Sequence, residues 1–167
     1  AEINIPKLPF PRLTMKEVSK RLKEKHGYES EGDLDAEGEK LISEIINQKF
    51  RHEFIFITEY PIEVRPFYHM RKEEDRTLTK SFDLLWRGLE ITTGAQREHR
   101  LEILKQQATE KKLNLKQLED YFNFFRYGCP PHGGFALSPT RMLMILLNLK
   151  NVREATFLPR DTERIRP

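Results

Sequence analysis

The sequence predicts an α+β fold in which an antiparallel sheet is flanked by helices. Helix-like and strand-like segments are both present, but they lack the regular alternation that a parallel sheet requires. Two strand-like segments are separated only by Arg87 and Gly88, the spacing of a two-residue hairpin. With 38% hydrophobic and 33% charged residues, the 167 residues have the composition of one globular domain with its own core.

The first third of the chain predicts two helices and a strand after a proline-rich, extended lead-in. Thr14 and Glu17 have the spacing of a capping box, and Gly27 is a typical residue just past a helix end. Asp35 is a good N-cap for the second helix. The apolar run Phe54–Thr58 predicts a strand, and its continuity predicts that both faces are covered.

The remainder of the chain predicts an edge strand, a charged loop, the hairpin and three more helices. Residues 63–68 are restricted to an edge or a bulge because Pro66 lacks an amide hydrogen. Residues 71–76 are expected to form an exposed loop. No repeat or linker interrupts this order, so we expect one domain over 1–167. The three helices are predicted at 98–112, between Asn114 and Gly128, and at 139–149.

Composition excludes several classes of protein. Cys129 is the only cysteine, so neither an intrachain disulfide nor a cysteine-based metal site can form, and a reducing, cytoplasmic location is expected. No apolar run reaches the ~18 residues typical of a membrane span. The net charge of +3 permits a polyanionic partner such as RNA without specifying one. Because the first residues contain neither an initiator methionine nor a signal peptide, we expect a cut beginning.

Two acidic residues on the predicted hairpin suggest a metal site. If Arg87 and Gly88 form the turn, Asp83 pairs with Thr92, and Asp83 and Glu90 share one face at roughly 7–8 Å. Two carboxylates at this spacing can hold one hard cation, and magnesium is preferred when phosphate oxygens complete its octahedron. The alternative is a solvent-exposed acidic face with no ligand.

Arg97 lies shortly after Thr93 and Gly94 at the end of the second hairpin strand. An arginine there could hold a substrate carboxylate through two parallel hydrogen bonds. The alternative is a salt bridge to Glu98 or Glu102 at the entry of the next helix.

Arg141 falls in the first turn of the last predicted helix, where Ser138 is a favourable N-cap and Pro139 a favourable first residue. The helix dipole disfavours a cation there by ~0.3–1 kcal/mol, which indicates an anionic partner such as a triphosphate. The alternative is a surface arginine paired with an acid. The apolar residues that follow are expected in the core: Met142, Ile145, Leu146 and Leu149.

Several stretches in order resemble the aspartyl-tRNA synthetases of the archaeal and eukaryotic type. The most specific combination is Ser-Phe-Asp at 81–83, Gly-x-Glu-Ile at 88–91 and Gly-Ala-Gln-Arg at 94–97. The resemblance covers nearly the whole chain and implies the C-terminal half of a class II catalytic domain, a partial antiparallel sheet flanked by helices. The other similar stretches are 56–61, 65–68, 125–128, 130–135 and 151–160.

The resemblance implies that aspartate is activated with ATP to aspartyl-adenylate and then transferred to tRNA. Asp83 and Glu90 match the acids that bind ATP through magnesium, and Thr93 falls near the metal and aspartate. Arg97 matches the arginine that holds the substrate carboxylate, and Arg141 the one that packs against ATP in the third class II motif. No side-chain nucleophile is implied. The implied partners are aspartate, tRNA(Asp) with tRNA(Asn) left open, and a second subunit in a homodimer, with no membrane.

Two departures from the family leave other functions open. Ala136, Ser138, Pro139 and Thr140 replace two glycines, a leucine and a glutamate of the third motif and can crowd the approach of ATP. The anticodon-binding barrel and the first two class II motifs are absent from these residues, so we expect part of a site and an inactive isolated chain. The alternatives are an asparagine synthetase-like paralogue that makes an amide, and a non-catalytic binding module.

Overall fold

The computed structural model describes residues 5–166, which form a five-stranded sheet with helices around it. The strands lie in the sheet in chain order, and every neighbouring pair is antiparallel except the first, which is parallel. The α+β fold class is therefore confirmed, and the expected antiparallel sheet has one parallel edge. The strands are β1 (Arg12–Thr14), β2 (Phe54–Thr58), β3 (Ser81–Trp86), β4 (Leu89–Arg97) and β5 (His132–Leu137).

Five α-helices accompany the sheet in the described part of the chain, and each coincides with a predicted one. Two are shorter than predicted: the third begins after Glu98, and the fifth ends before Leu149. Single 3-10 turns lie at Ile62–Val64, Leu115–Leu118 and Val152–Ala155. The helices are α1 (Met15–His26), α2 (Ala36–Phe50), α3 (Leu101–Glu110), α4 (Glu119–Arg126) and α5 (Pro139–Leu146).

The predicted helix caps are confirmed. The Thr14 hydroxyl accepts from the amide of Glu17 at 3.2 Å, while the Glu17 carboxylate accepts from the amide of Thr14 at 2.8 Å. Gly27 ends α1 in the left-handed conformation at φ 65°. The Asp35 carboxylate accepts from two amides in the first turn of α2. These caps fix where α1 and α2 start, and both helices pack against one face of the sheet.

One face of the sheet is buried and the other carries half-exposed aromatic rings. Ile55 and Ile57 of β2 are fully buried beneath α1 and α2. On the opposite face, Phe54 stacks on Trp86 with ring centroids 4.9 Å apart, and both Phe54 and Phe56 are only half-buried. The expectation that β2 is covered on both faces is wrong for this structure.

A second core lies where α3 packs against α4 through Leu104, Ala108, Phe122 and Phe125. The last helix contributes less than predicted, because no residue of α5 is fully buried. The four apolar residues expected in the core there are half-buried instead. Between residues 5 and 166, no helix combines the length and the apolar character needed to cross a membrane.

Candidate functional site

The hairpin between β3 and β4 turns at Arg87 and Gly88, as the sequence predicts. Both residues have positive φ, 49° and 78°, as a type I′ turn requires. A Cβ on Gly88 would lie 2.9 Å from Lys40 Cα of α2, so the turn also depends on glycine for close packing. The tip of the hairpin is therefore held against the first turns of α2.

A β-bulge in β4 changes the predicted register of the hairpin. Asp83 pairs with Thr93, and the prediction that it pairs with Thr92 is wrong. The register shifts because Ile91 is an extra residue in β4: Glu90 pairs with Leu85, Thr92 pairs with Leu84, and Ile91 between them has no partner in β3. Beyond the bulge, each β4 side chain lies on the opposite face from the one that simple alternation assigns.

The bulge brings the predicted site residues onto one face of the sheet. Leu85 and Asp83 share a face of β3, and their direct partners are Glu90 and Thr93. Arg97, four residues after Thr93, lies on the same face. In an unbroken strand Glu90 would face away from Thr93 and Arg97. The face-sharing predicted for Asp83 and Glu90 is thus confirmed, and the bulge adds Thr93 and Arg97 to it.

Asp83 is buried, and within residues 5–166 only one of its two carboxylate oxygens has a partner. Its side chain is 5% exposed, and the guanidinium of Arg65 contacts Oδ2. The Arg65 guanidinium also stacks on the ring of Tyr60, 3.5 Å from its centroid. Asp83 Oδ1 is buried without a partner among the described residues. A buried carboxylate oxygen without a partner is costly, so this atom is a candidate contact point for a ligand.

Glu90 and Arg141 meet across β4 and α5. Arg141 Nη1 donates to the backbone oxygen of Glu90 at 2.6 Å and to its carboxylate at 3.3 Å. Ser138 caps the helix, its hydroxyl accepting from the Arg141 amide at 3.4 Å, and Pro139 is the first helical residue as predicted. The Thr140 hydroxyl lies 3.2 Å from that of Ser138. Arg141 is thus paired with an acid, and both side chains remain partly exposed.

Glu39 is a residue of the site that sequence reasoning missed. Its carboxylate accepts from the backbone amide of Glu90 at 3.3 Å. Burial raises the pKa of Glu39 to about 7, and the charges of Glu90 and Asp83 act in the same direction. Burial and the charge of Asp83 likewise raise the pKa of Glu90. Glu39 is half-buried and lies on the same helix face as Ile42 and Ile46. It is one of several charged residues at the start of α2, so no local signal in the sequence marks it.

Arg97 opens into a small cavity of about 160 Å³. Its guanidinium lies 5.5 Å from the ring centroid of Tyr68, and it makes no ion pair within residues 5–166. The alternative salt bridge to Glu98 is wrong, because Arg100 contacts the Glu98 carboxylate at 2.8 Å instead. The cavity is lined by Tyr68, His69, Thr93, Gly94, Ala95, Arg97, Gly134, Phe135 and Ala136.

Strand β5 closes this cavity. A Cβ on Gly134 would lie 3.2 Å from Arg97 Nη2, so a glycine there leaves room for the guanidinium. Ala136 pairs with Thr93 and lines the cavity wall. The substitution noted in the sequence therefore lies directly beside the predicted site.

Asp83 and Glu90 are the acids available to a cation on this face. Within the described residues, no group of three or more histidine, cysteine, aspartate or glutamate side chains is arranged to hold a metal. A metal here would take two carboxylates from the protein and its other ligands from phosphate or water, which is how magnesium is commonly bound with nucleotides.

The sequence is similar to a family of tRNA synthetases over nearly its whole length. Residues 2–162 match the family model described as tRNA synthetases class II (D, K and N). The chain is 45% identical over 170 residues to the aspartate–tRNA(Asp/Asn) ligase of Aeropyrum pernix and 47% identical over 165 residues to the aspartate–tRNA(Asp) ligase of Thermoplasma volcanium. Each alignment covers 99% of the chain, but only 38% of the length of either relative.

The fold is also similar to solved structures of aspartyl- and asparaginyl-tRNA synthetases. The aspartyl-tRNA synthetase of Entamoeba histolytica superposes with a TM-score of 0.92 at 34% identity, covering 99% of this chain and 35% of that one. The asparaginyl-tRNA synthetase of Pyrococcus horikoshii superposes with a TM-score of 0.86 at 29% identity, covering 96% of this chain and 38% of that one.

Proposed function

The chain belongs to the family of class II tRNA synthetases for aspartate, lysine and asparagine, and on that premise we propose that it forms part of the active site of an aspartate–tRNA ligase. The observation that carries the proposal is the single sheet face on which two carboxylates, Asp83 and Glu90, lie with Thr93 and Arg97. Eight curated relatives at 41–47% identity bear the name of aspartate–tRNA ligases, which favours aspartate as the amino acid.

The residues present fit a magnesium ion. Asp83 Oδ1 is buried without a partner, and Glu90 is partly exposed on the same face. We propose that these carboxylates hold the ion, with the hydroxyl of Thr93 beside it. When bound, magnesium would neutralise phosphate charge on ATP. Arg65 contacts the other carboxylate oxygen of Asp83 and offsets part of its charge, which leaves Oδ1 free for a cation.

Two arginines of the chain supply the remaining positive charge. Arg97 holds the aspartate side-chain carboxylate with its guanidinium fork, since within the described residues it has no competing acid. Arg141 steers the triphosphate from the first turn of α5, and it exchanges its contact with Glu90 for one with ATP. In the proposed reaction the α-carboxylate of aspartate attacks the α-phosphate of ATP and displaces pyrophosphate. Two anions meet in this step, so fixed positive charge at the point of attack lowers the barrier, and no protein nucleophile is required.

The altered third motif defines the ATP side of the proposed site. Ser138 and Thr140 place hydroxyls at the N-terminus of α5, and Pro139 offers no amide hydrogen there. The methyl group of Ala136 lies at the cavity wall. We propose that ATP contacts this turn through Arg141 and the two hydroxyls. We also expect tRNA(Asp) as the acceptor, a homodimer and a cytoplasmic location.

The test is ATP–pyrophosphate exchange by the full-length protein with aspartate, followed by charging of tRNA(Asp) and tRNA(Asn). Glu90→Ala and Arg141→Ala should each lower exchange by ~10²–10³-fold, the usual effect of removing one group that stabilises developing charge. Arg126→Ala and Glu102→Ala are matched controls: Arg126 has 43% side-chain exposure against 42% for Arg141, and Glu102 is exposed on α3.

The outcomes separate the alternatives. Exchange that requires aspartate, followed by ester formation on tRNA, supports the proposal. AMP formation that needs aspartate and ammonia but no tRNA would identify an amide-forming paralogue. An intact, folded protein that shows no exchange would identify a binding module.

A further inference from the structure

We propose that His69 contacts the side-chain carboxylate of the substrate beside Arg97 and contributes to the selection of aspartate over asparagine. This inference rests on the proposed function, because it takes the cavity around Arg97 to be the amino-acid pocket. It adds a third polar residue to a pocket in which the sequence singled out only Arg97 and Thr93.

The backbone places His69 directly opposite Arg97. The two residues form an isolated antiparallel bridge outside the named strands. The hydrogen bonds lie on either side of the pair, from the Met70 amide to the Gln96 oxygen at 3.0 Å and from the Glu98 amide to the Tyr68 oxygen at 2.9 Å. In such a non-hydrogen-bonded pair the facing side chains are at their closest, and both side chains line the same cavity.

The position of His69 is fixed by its surroundings. The buried Gln107 side chain donates to the His69 backbone oxygen at 3.2 Å. The ring of Tyr68 meets the imidazole at 5.2 Å between centroids in an edge-on arrangement. His69 is 7% exposed, so its ring has little freedom to turn away from the cavity. The imidazole is therefore preorganised, and substrate binding would not carry the entropic cost of ordering this side chain.

The imidazole has no protein partner in the described part of the chain. Nδ1 is buried without a hydrogen bond, which leaves Nε2 as the nitrogen that can reach a ligand in the cavity. Because neither ring nitrogen has a protein partner among the described residues, a ligand in the cavity would not compete with a protein group for Nε2. His52 differs, since both of its ring nitrogens lie within 3.1 Å of backbone oxygens. Within residues 5–166, Nδ1 of His99 is also buried without a partner, but His99 does not line the cavity beside Arg97.

The electrostatic surroundings keep His69 neutral. Burial and the positive charges of Arg65 and Arg97 together lower its pKa to about 4, although the charge of Asp83 acts in the opposite direction. A neutral imidazole with its proton on Nε2 adds one donor beside the Arg97 fork. A carboxylate accepts from both groups, whereas the amide nitrogen of asparagine is itself a donor and would oppose one of them. A site built of donors therefore favours aspartate.

The experiment compares His69→Leu with His69→Gln in the full-length protein, using calorimetric aspartate binding and the KM values for aspartate and ATP. Leucine approximates the volume without a donor, whereas the glutamine amide reaches about the position of Nε2. His69→Leu should weaken aspartate binding by about 10- to 100-fold, the usual effect of losing a hydrogen bond to a charged group, and lower the preference over asparagine by a similar factor. The KM for ATP should change less than about twofold, and His69→Gln should recover most of the loss.

Several results would overturn the assignment: unchanged aspartate binding by His69→Leu, equal loss for both substrates, or no recovery with glutamine. If the leucine variant does not fold, aspartate binding is compared between His69→Gln and His69→Asn, because the shorter asparagine amide cannot reach the Nε2 position. Equal aspartate binding by these two variants would overturn the assignment of His69. His26→Leu, at the exposed end of α1, serves as the control. A wild-type protein that binds ATP but not aspartate would refute the proposed function itself. If the wild type binds aspartate and His69→Leu binds it equally well, only the role of His69 is refuted.

Discussion

The contact between Arg65 and Asp83 gives a sharp stability prediction. Their side chains are 10% and 5% exposed, so water cannot replace the guanidinium if it is removed. In Arg65→Met the Asp83 carboxylate would be left buried with neither oxygen bonded, because Oδ1 already has no partner. Breaking one side of a buried ion pair typically costs ~3–5 kcal/mol.

Urea unfolding of the 167-residue chain, followed by the fluorescence of its single tryptophan, measures this cost. With a slope of ~2 kcal/mol per molar urea, the midpoint of Arg65→Met should fall by roughly 2 M. Arg65→Met combined with Asp83→Leu should recover most of the loss, since no charge then remains buried. Arg126→Met, which breaks the exposed pair with Glu119, should cost less than ~1 kcal/mol. An Arg65→Met midpoint within about 0.5 M of the wild type would refute the reasoning.

Three further predictions follow from the same site. Gly94→Ala should destabilise the chain by ~1–3 kcal/mol in urea unfolding, because the new Cβ would lie 2.6 Å from the ring of Phe82; no loss would contradict the packing. Gly134→Ala should raise the KM for aspartate and leave that for ATP unchanged, because its methyl group would displace the Arg97 guanidinium; an unchanged aspartate KM would argue against Arg97 as the carboxylate ligand. Glu39→Gln should stabilise the chain increasingly as pH rises from 4.5 to about 7. In this range Glu39 ionises readily in the unfolded chain but not in the folded chain, where its pKa is raised, so the wild type loses stability that the glutamine variant keeps. The measurement is the free energy of unfolding with a chelator present; a difference between variant and wild type that stays constant across this range would contradict the prediction.

Local features of the sequence predicted much of the fold. The hairpin turn followed from the two residues, Arg87 and Gly88, that separate two strand-like segments, and the helix starts followed from Thr14 and Asp35. These signals work because each depends on neighbours in the chain. Asp83 and Glu90 were placed on one face for the same reason, since strand alternation from a known turn is also local.

The features that were missed depend on residues far apart in sequence. No strand was predicted around Gly133 and Gly134, yet they lie in β5, where a side chain at either would approach Ala95 or Arg97 closely. The strand exists because β4 supplies the partner. The contact between Glu39 and Glu90 joins positions that are 51 residues apart.

The bulge at Ile91 has the largest consequence for the site. The residues around it read as a regular alternating strand, and no proline or glycine marks the irregularity. Simple alternation would have separated Glu90 from Thr93 and Arg97 and dispersed the proposed site. Only the resemblance to the synthetases grouped these residues before the structure explained how they converge.

Manganese binding tests the central claim most directly, namely that Asp83 and Glu90 together hold the cation that accompanies ATP. Manganese replaces magnesium as a paramagnetic probe, and its binding to the full-length protein is followed by electron paramagnetic resonance with and without ATP. We expect manganese binding in the presence of ATP to weaken by at least about tenfold in both Asp83→Asn and Glu90→Gln, with no change in the exposed control Glu102→Gln. Unchanged binding in Glu90→Gln would contradict the account.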